Sequence, residues 1–350
     1  MANHRLTIGT VTVGHGVILS YATRGEAQGT PLIFLPGPTD SWRSYAPVLD
    51  RFSSAIPVVA VSQRGHGDSD KPQTGYRVED FASDVVPLLD GLGIERAVVA
   101  GHSASCLVAR RVALDHPERV AGLVLEASPT TLSGDPNLDR FIKSVVSKLR
   151  DPIAPAFARS FVTETSSDRL PPALLDDLVA ELLKVPARVW KETFIGLQTY
   201  NDMVEIERIT APTLLVWGDA DPLVTHDKQN SLTERIRGAE LRIYEGVGHT
   251  PRWEEPTQFA NHVAAFVERC AGGEHKHRWV HSRRSATRWH GEATSASRSR
   301  TGSRVQSPPI CATVTDIGKS RKLKVSFSTD SDRLTATIWP DVVVFPAENT

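Results

Sequence analysis

The sequence predicts an α/β fold: a doubly wound, mostly parallel sheet with a helical cap inserted late in the chain. Three observations carry this expectation. Short apolar runs alternate with segments long enough to be crossover helices. The runs are apolar throughout, as in strands buried on both faces of a parallel sheet. Between about residues 131 and 210 the alternation stops and the pattern turns almost wholly helical.

Taken in order, residues 7–13 and 17–22 read as a hairpin turning through Gly14-His15-Gly16. Apolar runs at 32–35, 58–61, 97–100, 122–125, 213–217 and 241–244 supply the further strands. Residues 78–92 and 227–237 have the length of crossover helices. Inside the insertion, Leu174, Leu175, Leu178, Val179, Leu182 and Leu183 fall on one helical stripe. Pro186 suits the first turn of the next helix, whose apolar face continues through Trp190, Phe194 and Leu197. Open α/β sheets bind ligands at the carboxyl ends of their strands, so the insertion is expected to cover that edge as a lid. The domain expectation is a core of residues 1–130 and 211–271, a cap of residues 131–210, and an extension of residues 272–350.

The extension has a different composition. The formal net charge of −1 conceals a split: residues 271–350 hold 13 Lys and Arg against 7 Asp and Glu, so the first 270 residues hold 27 against 34. Residues 275–307 are rich in Arg, Ser, His and Thr and poor in large apolar side chains, which predicts a disordered basic extension. Within it, residues 322–328 and 333–339 alternate weakly, compatible with a hairpin through 329–332. No groove-reading motif accompanies the basic residues, so no specific nucleic-acid partner is expected. No apolar run approaches the ~20 residues that span a bilayer, and residues 1–5 lack the apolar core of a signal peptide. Three scattered cysteines, Cys106, Cys270 and Cys311, make neither a disulfide framework nor a zinc spacing. The expectation is a cytoplasmic monomer or homodimer with no metal and no membrane contact.

The chemistry centres on Gly101-His102-Ser103-Ala104-Ser105, which follows an apolar run and opens a helical pattern. A serine on a strand-to-helix turn is forced into a tight corner. That corner exposes the hydroxyl and frees the next N–H to face an oxyanion. A serine hydroxyl needs a base, usually histidine held by a carboxylate. Asp221, in Trp217-Gly218-Asp219-Ala220-Asp221-Pro222, follows one strand, and His249, in Gly246-Val247-Gly248-His249-Thr250, follows the next. Glu126 ends the strand after the nucleophile's helix and is the alternative acid. Asp219 is a candidate cap for the following segment, and Glu254 and Glu255 are candidates for stabilising a helix N-terminus. His66 and His102 read as structural.

With these segments, Leu35-Pro36-Gly37-Pro38-Thr39-Asp40-Ser41-Trp42, Arg64-Gly65-His66-Gly67-Asp68-Ser69 and Gly248-His249-Thr250-Pro251-Arg252-Trp253-Glu254-Glu255-Pro256, residues 1–270 resemble the α/β-hydrolase superfamily. The resemblance implies Ser103 as nucleophile, His249 as base and Asp221 as acid. It also implies an oxyanion hole made by the Ala104 N–H and a second donor after a His-Gly pair. Here that pair is Pro36-Gly37 and the donor position is Pro38, which has no N–H. Either Thr39 takes over, through its N–H or hydroxyl, or the loop registers differently, or the activity is weak.

The expected reaction is hydrolysis of a small apolar ester or lactone through an acyl-enzyme, without cofactor. Trp42, Phe161, Trp190, Phe194, Tyr200 and Trp253 are candidates to line the pocket, or equally to fill the core. The alternatives are perhydrolysis of the cofactor-free haloperoxidase type, carbon–carbon bond hydrolysis, or a weakly active sensor on the same scaffold.

Overall fold

The computed structural model describes residues 6–25, 29–166 and 170–271, and the backbone of residues 325–329 and 332–336. Strands β1 (Thr7–Thr12), β2 (Ile18–Arg24), β3 (Leu32–Leu35), β4 (Val58–Val61), β5 (Ala97–His102), β6 (Val120–Glu126), β7 (Thr213–Gly218) and β8 (Glu240–Tyr244) form one sheet in the order β1-β2-β4-β3-β5-β6-β7-β8. β2 pairs antiparallel with β1 and β4, and every other pairing is parallel. β3 to β7 are buried along their whole length, as their unbroken apolar runs require, and the edge strands β1 and β8, with β2 next to β1, meet solvent.

The helices are α1 (Ala46–Leu49), α2 (Val78–Gly91), α3 (Ser105–Asp115), α4 (Pro136–Ser144), α5 (Pro155–Glu164), α6 (Pro172–Leu182), α7 (Ala187–Thr199), α8 (His226–Arg235), α9 (Pro251–Glu254) and α10 (Pro256–Ala271). Proline is the first helical residue of α4, α5, α6, α9 and α10, where its missing N–H has no helical partner to lose and its φ is preset. Pro186 differs from the expectation: it is extended at ψ 150° and precedes α7, which opens at Ala187. One apolar layer gathers α2, α3 and the inserted helices on one face of the sheet. A second, with Val48, Phe52, Phe259, Val263 and Phe266, covers the other.

Four helices, α4 to α7, fill the interval between β6 and β7. Both ends of this insertion are tied to α3 by Arg110, whose side chain is wholly buried. Its guanidinium donates to the carbonyls of Pro129 (3.0 Å) and Thr130 (2.7 Å) where the insertion begins. Where the insertion ends, it forks onto Asp202 at 2.9 and 2.5 Å. Among the described residues, no helix is long and apolar enough to cross a membrane.

Most of the expected extension, and with it the expectation of disorder, lies outside the described residues. Within it, β9 (Val325–Thr329) and β10 (Asp332–Ala336) pair antiparallel as a separate two-stranded sheet, inside the 322–339 span the alternation suggested, whose remaining residues lie outside the described ones.

Asp202 has no exposed side-chain surface and faces a buried cation. Asp202→Asn is expected to destabilise the protein by about 3–5 kcal/mol, because it leaves the Arg110 charge unpaired in the interior. Urea unfolding measures the loss, and a change below about 1 kcal/mol would contradict the clamp.

Candidate active site

Between the end of β5 at His102 and the start of α3 at Ser105, two residues reverse the chain. Ser103 pays for the reversal with a left-handed backbone, φ 53°, which costs an L-residue about 1–2 kcal/mol. The corner is held on both sides: the Ser103 N–H donates to the Glu126 carbonyl at 2.8 Å, and its carbonyl accepts from the Cys106 N–H at 2.9 Å. Gly101 is needed because a Cβ there would lie 2.5 Å from the Ser105 carbonyl oxygen. The Ala104 N–H has no partner among the described residues, leaving it available to a ligand.

Ser105 stands where the elbow pattern has its last glycine, and it is more than a small substitute. Its hydroxyl donates to the Pro36 carbonyl at 2.6 Å and accepts from Gln63 Nε2 at 2.9 Å, while Gln63 Nε2 also reaches Pro36 O at 2.9 Å. The elbow is thereby tied to the loop after β3. Nothing in the sequence pairs Gln63 with either partner.

His249 Nε2 lies 2.9 Å from Ser103 Oγ, and His249 Nδ1 lies 2.8 Å from Asp221 Oδ2. The other carboxylate oxygen of Asp221 accepts the N–H groups of Leu223 (2.8 Å) and Val224 (3.1 Å). A carboxylate on Nδ1 places the ring proton there and turns the Nε2 lone pair toward the serine hydroxyl. The ring and the carboxylate are almost fully buried. Three contacts fix the histidine loop. Glu254 accepts the Gly248 N–H with both oxygens at 3.0 and 3.1 Å, a bond its sequence position next to a helix start did not suggest. Asp219 accepts the Gly246 N–H at 2.6 Å. His102 donates from Nε2 to the His249 carbonyl at 3.1 Å, and burial, with Arg252 and His249 nearby, lowers its pKa well below the usual imidazole value. Gly218 permits the close approach of β7 to this loop, since a Cβ there would meet the Val247 oxygen at 2.1 Å.

Glu126, the alternative acid, is placed elsewhere. Its carboxylate accepts the Arg252 backbone N–H at 3.0 Å and Arg252 Nη1 at 3.2 Å, while Asp221 occupies the His249 ring. Arg252 Nη2 also reaches Asp40 at 3.2 Å. Burial raises Glu126 and pushes the Asp40 carboxyl up to about 6, against the pull of the Arg252 guanidinium.

The loop after β3 makes a tight turn. Asp40 N–H donates to the Gly37 carbonyl at 3.1 Å, Pro38 occupies the first central position, and Thr39 the second at φ 75°. This is the type II arrangement, which suits proline first and normally glycine second. Thr39 is buried, and its N–H has no partner among the described residues.

The six aromatic candidates separate. Phe161, Trp190 and Phe194 meet in the insertion, with ring centroids 4.9 Å apart for Phe161–Trp190 and 5.6 Å for Trp190–Phe194, and Phe141 and Phe157 join them. Tyr200 is buried with its hydroxyl 3.5 Å from Asp202. Trp42 is buried with Arg43 over its ring, and the Trp253 indole donates to the Ser44 carbonyl at 2.6 Å. The insertion also touches the core through Glu181, which pairs with Arg43 (3.2 Å), and Lys184, which pairs with Asp68 (2.8 Å).

Residues 32–262 match the family model described as the alpha/beta hydrolase family. The chain is similar, at 28% identity over 277 residues, to a non-heme chloroperoxidase of Streptomyces lividans, covering 75% of this chain and 100% of that protein. It is similar, at 26% identity over 253 residues, to 3-oxoadipate enol-lactonase 2 of Acinetobacter baylyi, covering 72% of this chain and 94% of that protein. Among solved structures, it resembles Est816, described as an N-acyl homoserine lactone degrading enzyme. That match has a TM-score of 0.63 at 30% identity, over 74% of this chain and 100% of that one.

The strained corner has a measurable signature. In regular structure Ala is more stabilising than Gly, but at φ 53° the order reverses. Ser103→Gly is expected to exceed Ser103→Ala in unfolding free energy by about 1 kcal/mol. Equal stability, or an advantage for Ala, would contradict the geometry.

Proposed function

The chain belongs to the alpha/beta hydrolase family, and we propose that it cleaves small apolar carboxylic esters or lactones through an acyl-enzyme on Ser103. One observation carries this reading: the unbroken hydrogen-bonded chain from Asp221 through His249 to Ser103 Oγ, at 2.8 and 2.9 Å. Ser103 Oγ attacks the acyl carbon as His249 Nε2 takes its proton, and Asp221 steadies the imidazolium. The same nitrogen then protonates the departing alcohol, which in a lactone stays tethered to the acyl chain. Water, activated by His249, hydrolyses the acyl-enzyme and restores the serine. These steps call for neither metal nor cofactor.

The free N–H groups of Ala104 and Thr39 are the proposed oxyanion donors. Thr39 stands in for Pro38 because the type II turn puts proline at the position that needs no N–H and presents the next amide unpaired. The inserted helices are the proposed lid, with Phe161, Trp190 and Phe194 as its apolar centre. The similarity to an enol-lactonase and to Est816 supports the lactone part of the proposal.

A second reading has one observation in its favour, the similarity to a chloroperoxidase. In it, hydrogen peroxide intercepts the same acyl-enzyme and releases a peracid. Peracid formation from acetate and peroxide, set against ester turnover, separates the two.

Wild-type protein is expected to turn over p-nitrophenyl butyrate and to be labelled on Ser103 by a fluorophosphonate. Ser103→Ala should abolish both, and Asp221→Asn should lower kcat by about 10⁴ through the wrong histidine tautomer. Equally slow hydrolysis by wild type and Ser103→Ala would reject the enzyme reading and leave a binding protein. Thr39→Gly separates backbone from hydroxyl. It retains the N–H in a residue suited to φ 75°, so kcat is expected within about threefold of wild type, whereas loss of a hydroxyl donor would cost about 10²–10³.

A further inference from the structure

We propose that Arg252 is a positioning residue whose buried guanidinium, through Asp40 and Glu126, locks the oxyanion turn, the nucleophile elbow and the histidine loop into one register. The proposal rests on the hydrolase reading and adds to it a group that touches neither substrate nor reacting atom.

The contacts form a closed path. Ser103 N–H donates to the Glu126 carbonyl, and the Glu126 carboxylate takes two hydrogen bonds from Arg252. Arg252 lies three residues after His249. Its far Nη2 holds Asp40, the residue after Thr39, at 3.2 Å. Its Nε reaches the Ser44 carbonyl at 3.3 Å, and the neighbouring Trp253 indole N–H shares that carbonyl at 2.6 Å. The guanidinium lies against the rings of Trp253 and Tyr45, 4.3 and 5.0 Å from their centroids, and has no exposed surface. One planar cation thus holds the oxyanion turn directly at Asp40, reaches the elbow through Glu126, and lies three residues from His249 in its own segment. In sequence they lie up to 212 residues apart.

The composition of the cluster points away from stability as its purpose. Two carboxylates and one guanidinium share a largely buried site, with charge left over, and burial raises the Asp40 carboxyl. Apolar residues of similar volume generally hold such a space at least as well. What they do not supply is direction. A forked cation fixes two carboxylates at set angles, and a flexible ammonium in its place would not. Alignment matters at this scale because a shift of about 1 Å at a reacting group costs about 100-fold in rate.

The test uses the full-length protein at pH 8, above the value of about 6 to which burial pushes Asp40. Asp40→Asn, Glu126→Gln and Arg252→Lys are each titrated with fluorophosphonate to count reactive Ser103, and kcat for p-nitrophenyl butyrate is expressed per titrated site. The expected result is a loss of kcat per site of about 10–100-fold with KM within about twofold of wild type. Unchanged kcat per site, with only a lower melting temperature, would overturn the proposal and leave Arg252 as a packing residue. If Arg252→Lys does not yield folded protein, the near-isosteric Asp40→Asn and Glu126→Gln decide by the same criterion. A wild type that neither labels on Ser103 nor turns over ester would instead sink the hydrolase reading, and this proposal with it.

Discussion

The two-residue reversal at Ser103 is the constraint on which the rest of the architecture depends. A strand cannot become a helix in that distance without a left-handed residue, and that residue is strained unless its surroundings leave it no alternative. Those surroundings come from every side: the Glu126 carbonyl of β6, the first turn of α3, and the small Gly101 beneath. The Ser105 hydroxyl then carries the constraint on to the loop after β3. Displacing any of these would relax the corner and withdraw the hydroxyl from the histidine.

Three carboxylates near the histidine receive different treatment. Asp221 is satisfied by two backbone N–H groups and the imidazole, so its negative charge has three dedicated donors. Glu126 and Asp40 instead share one guanidinium. The difference decides which of them can serve the ring. Orienting Nδ1 requires a carboxylate that is held still by other donors and has one oxygen to spare, and among these three Asp221 answers that description.

The sheet was legible in the sequence because its strands are short, wholly apolar and separated by helix-length segments. The runs at 32–35 and 58–61 match β3 and β4 to the residue. The others were read one to three residues short, at a glycine or a polar end as in β5 at Gly101-His102, or before the glycine in β6, where Val120-Ala121 precede Gly122. Ser103, His249 and Asp221 were legible because each sits in a local pattern of glycines and strand ends. The choice between Asp221 and Glu126 was not, since two carboxylates at neighbouring strand ends look alike until a distant arginine claims one of them. Gln63, Ser105, Glu254 and Arg252 escaped for a related reason: their work is done through partners that no periodicity encodes. The aromatic candidates show the converse limit. Helical spacing put Trp190 and Phe194 on one face correctly, but the same apolar character in Trp253 and Tyr200 serves the Ser44 carbonyl and the Asp202 neighbourhood.

Arg110 gives the insertion a modular character. Both of its ends, at Pro129-Thr130 and at Asp202, are stapled to a single side chain on α3, the helix that follows Ser103. Between those staples the insertion is held to the core at other points, among them Glu181 on Arg43 and Lys184 on Asp68. For protein engineering this marks natural cut points: a chimera that exchanges residues 131–201 for the equivalent stretch of a relative would keep Arg110 and both of its anchor points, provided the partners of Arg43 and Asp68 are kept with it.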